Sequence, residues 1–142
     1  MNYGVYSSGN LGYSGSLIGP IQGPEFNENV QPLTGALDKL MQLNANSFQF
    51  TQNTRYDYMN LPSGKHYGLS VREVEQVLPE LVSDNMHPSA AVSRGERSND
   101  PPIAYKGINY MEMIPILVEA IKEQQQEIET LKAEITMLKS KR

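Results

Sequence analysis

IPILVEAIKEQQQEIETLKAEITML, residues 114–138, repeats with a period of seven. Ile114, Ile121, Ile128 and Ile135 take position a; Leu117, Leu131 and Leu138 take position d, and Gln124 fills the remaining d slot. Apolar residues spaced alternately three and four apart share one helix face, and sustained over several heptads they predict a coiled coil. On this register Glu127 and Glu134 fall at g, and Lys132 and Lys139 at e. In a parallel bundle each g residue meets the next e residue of the neighbouring chain. Glu127 then faces Lys132 and Glu134 faces Lys139, both attractive, so the sequence predicts a parallel coil. About 30 residues at 1.5 Å each give a helix roughly 45 Å long. Isoleucine at a with leucine at d favours two strands on core geometry. A Gln124 layer, however, can be satisfied by three amides around an axis.

Upstream of the heptads, Asn109 followed by Glu112 reads as a capping box that opens the helix. Pro115, just inside it, removes one backbone hydrogen bond and predicts a bend where a head gives way to the coil. The terminal KSKR suits the negative end of the helix dipole.

The stretch before the helix is mixed. In PLTGALDKLMQLN, Thr34 is an N-cap candidate, and Leu37, Leu40, Met41 and Leu43 form a helical stripe. SFQFTQ (47–52) alternates Phe48 and Phe50 with polar residues and predicts a strand. Pro62-Ser63-Gly64 then marks a turn, so Phe48–Gln52 and His66–Leu69 can pair as a hairpin. Ser70 with Glu73 predicts a second capping box, opening a short helix through Val71, Val74, Val77 and Leu78 that stops before Pro79. Residues 83–102 read as a loop, long enough to project or to bind something, and Ile103–Lys106 as a short strand. The predicted fold class is α+β: a small mixed head of short strands and helices, then a long C-terminal helix. The boundaries are 1–24, a Gly/Ser/Tyr-rich β-shaft remnant or linker; 25–108, the head; and 109–142, the coiled-coil helix.

In the first segment Tyr3, Val5, Leu11, Tyr13 and Leu17 alternate with small polar residues. It reads either as the end of a repetitive β-shaft or as a flexible arm. Of all 142 residues, 39% are hydrophobic and mean hydropathy is −0.47. Part of the chain is therefore expected to be extended, exposed, or buried only against another subunit. A formal charge of −4 speaks against nucleic acid as a partner, because phosphate binding needs clustered cations. No run approaches the roughly 20 apolar residues of a membrane span, so no membrane insertion is expected. No signal peptide is visible either. The chain either needs none or is the C-terminal piece of something longer.

Few groups can carry chemistry. With no cysteine there is no thiolate ligand or cysteine nucleophile. His66 and His87 stand far apart with no carboxylate at ligand spacing, so neither a metal nor another cofactor is expected. Ser7, Ser8, Ser14 and Ser16 lie in the Gly-rich arm without a partnered base and read as turn residues. Arg94, Glu96, Arg97 and Asp100 read as a solvated loop. GPIQGPEFNENVQPL (19–33) punctuates the passage from arm to head and contains no serine, threonine, cysteine, lysine or histidine.

Three blocks in order, NENVQPLTGALDKLMQLNANSFQF, HYGLSVREVEQVLPELVSDN and IAYKGINYMEMIPILVEAIKEQQQEIETLK, resemble the C-terminal intramolecular-chaperone domain of phage tail spikes, tail fibres and endosialidases. The same domain occurs on tail-fibre-like bacterial surface proteins. The likeness spans residues 25–142. It implies a homotrimer on a virion tail fibre or a bacterial cell surface, which brings three chains into register so that an upstream β-stranded fibre of the same polypeptide can wind. Many such domains then cut themselves off. A Ser-Asp pair just before the N-E-N-V block is cut on the N-terminal side of the serine, and a lysine five residues after the serine serves as base. Anchored on Asn29 and Val30, those positions here are Gln22, Gly23 and Asn27. Neither amide can act as nucleophile or base, so the resemblance implies a cut site without cutting chemistry. Two other readings remain: a serine endopeptidase with a displaced nucleophile, such as Ser14 or Ser16, and an adhesive fibre tip whose 83–102 loop contacts a glycan.

Overall fold

The computed structural model describes residues 23, 25–89, 95 and 101–141. The β-shaft pattern of the arm, its serines, Gln22 and the charged stretch around Arg94 and Asp100 lie outside those residues, apart from Gly23 and Gly95. The described chain is a mixed α+β head followed by one long helix.

The first helix, α1 (Ala36–Leu40), is shorter than its apolar stripe suggests. Thr34 does not cap it. The N-cap is Gly35 at φ +66°, a left-handed conformation that glycine adopts without steric cost. Ala36 is buried, Leu37 and Leu40 are half-buried, and Met41 is 78% exposed.

Strand β1 (Ala45–Phe48) pairs antiparallel with β2 (His66–Leu69), Phe48 opposite His66. The expected partner strand thus forms, but from residues 45–48 rather than 47–52. Phe50 lies beyond its end, and its ring packs edge-on against Phe48 with centroids 5.1 Å apart. A 3-10 helix at Thr54–Met59 occupies the connection. On β2, a side chain at Gly68 would sit 3.0 Å from the Tyr110 hydroxyl. The missing Cβ allows that hydroxyl to accept the Leu69 N–H at 3.0 Å.

Helix α2 (Val71–Val77) begins at Ser70, as expected, yet the serine side chain makes no capping bond. The capping box fails because Glu73 is engaged elsewhere: its carboxylate accepts the Asn44 N–H at 3.0 Å. Leu78, which precedes Pro79, is driven out of the helical region to φ −140°, ψ 64°, as steric clash with the proline ring requires. A 3-10 turn at Pro79–Leu81 follows.

The largest departure from the sequence reading comes next. Val82–His87 is strand β3, paired along its whole length with β4 (Ile103–Ile108), Val82 opposite Ile108 and His87 opposite Ile103. Residues 83–87 of the expected 83–102 loop are therefore strand, most of the remainder lies outside the described residues, and β4 runs two residues past Lys106. The sequence hid β3 because four of its six residues, Ser83, Asp84, Asn85 and His87, are polar. Backbone pairing holds it, with Lys106 bridging Asp84 at 3.0 Å and Glu75 at 2.8 Å and the Val82–Ile108 pair at one end packed on the core.

The final helix, α3 (Tyr110–Ser140), is continuous through Pro115. Asn109 caps it, its side-chain oxygen accepting the Met111 and Glu112 N–H groups. The other half of the expected capping box is absent, because the Asn109 N–H donates to the Leu81 carbonyl at 2.8 Å. The core is small: Val74, Leu78, Leu81 and Met113 are buried, and Leu43, Leu69, Val77, Val82, Ile108 and Ile116 pack around them. The head does not end at Pro115. Helix α1 packs against α3 farther along, where Ala120 is 4% exposed.

Candidate functional site

Helix α3 presents two faces. Met113, Ile116, Ala120 and Glu123, spaced by three, four and three, turn toward the head and occupy g and c positions of the heptad. The a and d residues do not. Ile114 is 50% exposed, Leu117 44%, Ile121 64%, Ile128 39%, Leu131 56%, Ile135 50% and Leu138 66%. Gln124, Glu127, Lys132, Glu134 and Lys139 are exposed as well, and none of these four charged residues forms an ion pair within its own chain among the described residues. The oligomerisation residues named from sequence are therefore gathered on one uncovered stripe. Isolated exposed leucines are ordinary, whereas a contiguous apolar stripe marks an interaction surface.

Beside that stripe lies a contact that sequence reading missed. The Glu123 carboxylate accepts the Leu37 N–H at 2.7 Å and the Ala36 N–H at 3.2 Å. It supplies the cap that the α1 sequence lacks. The partners are 86 and 87 residues apart, so no local spacing could have disclosed them. The only hint is a helix that starts at Gly35 with no capping side chain.

The Leu37 N–H holds the Glu123 carboxyl below its ordinary range; burial opposes this, and the Ala36 and Gly35 N–H groups add to it. A carboxyl whose folded pKa is depressed stabilises above its unfolded value, and that contribution is lost as pH falls through the folded pKa. Hydrogen-exchange protection of the Ala36 and Leu37 amides is thus expected to hold from pH 7 to 5 and to fall below about 4.3, the ordinary glutamate value. Glu123→Ala should lower that protection several-fold at neutral pH while leaving β3–β4 amides unchanged. Unaltered Ala36 and Leu37 exchange in the variant would exclude the cap.

At the other candidate site, the degenerate cleavage stretch, Gln22 lies outside the described residues. Gly23 and Asn27 are brought within one turn: the Gly23 carbonyl accepts the Phe26 N–H at 2.9 Å and the Asn27 N–H at 3.1 Å. The segment then runs exposed, with Phe26 67%, Val30 75% and Leu33 47% accessible.

The histidines pack rather than converge. His66 stacks near Phe48 and Phe50, with centroids 5.8 and 5.1 Å away. His87 is buried beside Tyr58, its Nδ1 2.8 Å from the Pro88 carbonyl oxygen. Among the described residues no three His, Cys, Asp or Glu side chains cluster as metal ligands, and no helix is long and apolar enough to cross a membrane.

The family model described as chaperone of endosialidase matches residues 25–83. That span holds the first of the three sequence blocks and nearly all of the second. The long helix lies beyond it. No curated protein matches the chain.

Proposed function

We propose, from the premise that this chain carries an intramolecular-chaperone domain of the chaperone-of-endosialidase family, that it trimerises and registers the chains of a tail-fibre or tailspike-like protein without cutting itself. The observation that carries this reading is the uncovered stripe from Ile114 to Leu138. Each of its apolar side chains gains on the order of 1 kcal/mol or more when the exposed part is covered. Only identical, parallel copies meet the stripe with matching a and d layers and with Glu127–Lys132 and Glu134–Lys139 pairs.

Three strands fit better than two because the Gln124 layer needs partners for its amides, and because the family resemblance implies a trimer. An upstream β-stranded fibre is slow to pair between chains and prone to aggregate. A coil that assembles first raises the local concentration of the strands and sets their register. Virion or bacterial-surface placement follows from the same resemblance. The absence of self-cleavage rests on Gln22, Gly23 and Asn27.

Light scattering tests the assembly. The expected mass is three times 15.9 kDa, and the denatured chain should show its full, uncut mass. A stable species of twice 15.9 kDa would overturn the trimer and vindicate the two-strand preference of isoleucine at a with leucine at d.

A further inference from the structure

Between α1 and α3 runs a groove of about 620 Å³, lined among others by Leu37, Asp38, Glu123, Glu127, Thr130 and Leu131. Leu131 belongs also to the d layer of the exposed stripe, and Glu127 is its g flank. The groove is therefore continuous with the surface proposed to join the chains. Its charged lining residues are all acidic, and Glu123 is already occupied by the α1 amides.

Each head sits on the g and c flank of its own helix, through Met113, Ile116, Ala120 and Glu123. The e flank of that helix is left open. It carries Met111 (51% exposed) and Val118 (49% exposed), then Gln125 and Lys132. In a parallel coil the g flank of one chain faces the e flank of the next, and Glu127 falls level with Lys132. A head mounted on the g flank must then lie against the neighbour's e flank. This explains why that flank is apolar near the head and basic farther along.

We infer that the α1–α3 groove seats the e flank of a second copy's α3, and that Lys132 of that copy lies between Glu127 and Asp38. The inference rests on the trimer reading and deepens it: α1 becomes part of the interface, and the Glu123 cap holds it there. Each subunit boundary then contains the helix pair and one clasp.

The chain has no cysteine, so single-cysteine variants report contacts cleanly. Chains carrying Asp38→Cys are refolded together with mass-tagged chains carrying Lys132→Cys and treated with a short bismaleimide. The expected product joins one chain of each kind, at a yield at least several-fold above that with Ala133→Cys in place of Lys132→Cys. A trimer that gives no 38–132 product, or gives as much from position 133, overturns the groove assignment and leaves the trimer reading intact. Loss of the trimer in the parent chain would sink that reading instead.

Charge variants test the same point without cysteine. Lys132→Glu should lower the melting temperature of the trimer more when Asp38 is present than in the Asp38→Asn background, and the difference should shrink in high salt. Equal shifts in the two backgrounds would refute the contact.

Discussion

Replacing Ile128 and Leu131 together by aspartate is expected to leave a monomer at micromolar concentration with its head still folded. The two residues are 39% and 56% exposed within one chain, and neither belongs to the cluster of Val74, Leu78, Leu81 and Met113. Their burial is proposed to occur only between chains. Removing a large side chain from a packed layer costs roughly 2–5 kcal/mol. At the low end, two sites in each of three chains cost about 12 kcal/mol per trimer, close to nine powers of ten in the association constant. Six carboxylates brought to the axis add repulsion.

The measurement is light scattering together with amide exchange. The variant should have the mass of one chain and retain protected amides in α2, β3 and β4. Persistence of a trimer would mean that the heads, rather than the stripe, hold the chains together. A monomer with an unfolded head would mean that the head core depends on assembly.

The parts of this protein legible in its sequence are those whose cause is local and periodic. The heptads from Ile114 to Leu138 mark a helix, and α3 covers them all. Val71, Val74 and Leu78 before Pro79 mark another, and α2 stops where the proline requires. The uncovered stripe follows from the same spacing. What stayed hidden depends on distant partners. Strand β3 is polar at four of its six positions and lacks an apolar alternation, and its pairing with residues 103–108 makes it a strand. Glu73 and Glu123 look like surface helix residues, yet each accepts backbone donors from the segment around α1, one at its exit and one at its start. Both capping boxes mark the right start positions, but at Ser70 the side chain makes no capping bond and Glu73 turns to Asn44, while at Asn109 the side chain caps and the N–H donates to Leu81.

The same long-range bonds suggest how so small a head holds together. A core built on four buried side chains is a modest source of stability. The Glu123 cap and the Tyr110–Leu69 bond connect the early part and the middle of the head sequence to α3. Assembly of α3 into a coil would then add stability to the folded head, since anything that binds only the folded state stabilises it. In the proposed assembly, the route from the coil to an upstream fibre passes through α1, which directly follows the exposed 25–35 segment.

That route places the last prediction. Converting Gln22→Ser, Gly23→Asp and Asn27→Lys together is expected to produce self-cleavage in the assembled protein, with a new N-terminus at residue 22. Positions 23 and 27 already share a turn closed by the Gly23 carbonyl, which accepts the Asn27 N–H at 3.1 Å. Gly23 is not among the glycines at positive φ. A side chain there first meets the Glu25 carboxylate, 2.9 Å from the added Cβ; this is the movable end of a flexible group, so the aspartate can be accommodated. Gln22→Ser alone should give little product, because an unassisted hydroxyl is a weak nucleophile at neutral pH. The lysine supplies the missing base, since a positioned proton acceptor typically contributes 10²–10⁴-fold. Combining the triple change with Ile128→Asp and Leu131→Asp separates local chemistry from assembly: cleavage should disappear with the trimer. Mass spectrometry of the denatured chains reads every case. A cut in the unaltered chain would refute the loss of chemistry at Gln22 and Asn27. An uncut triple variant that remains trimeric would place the defect in oxyanion donors beyond these three positions.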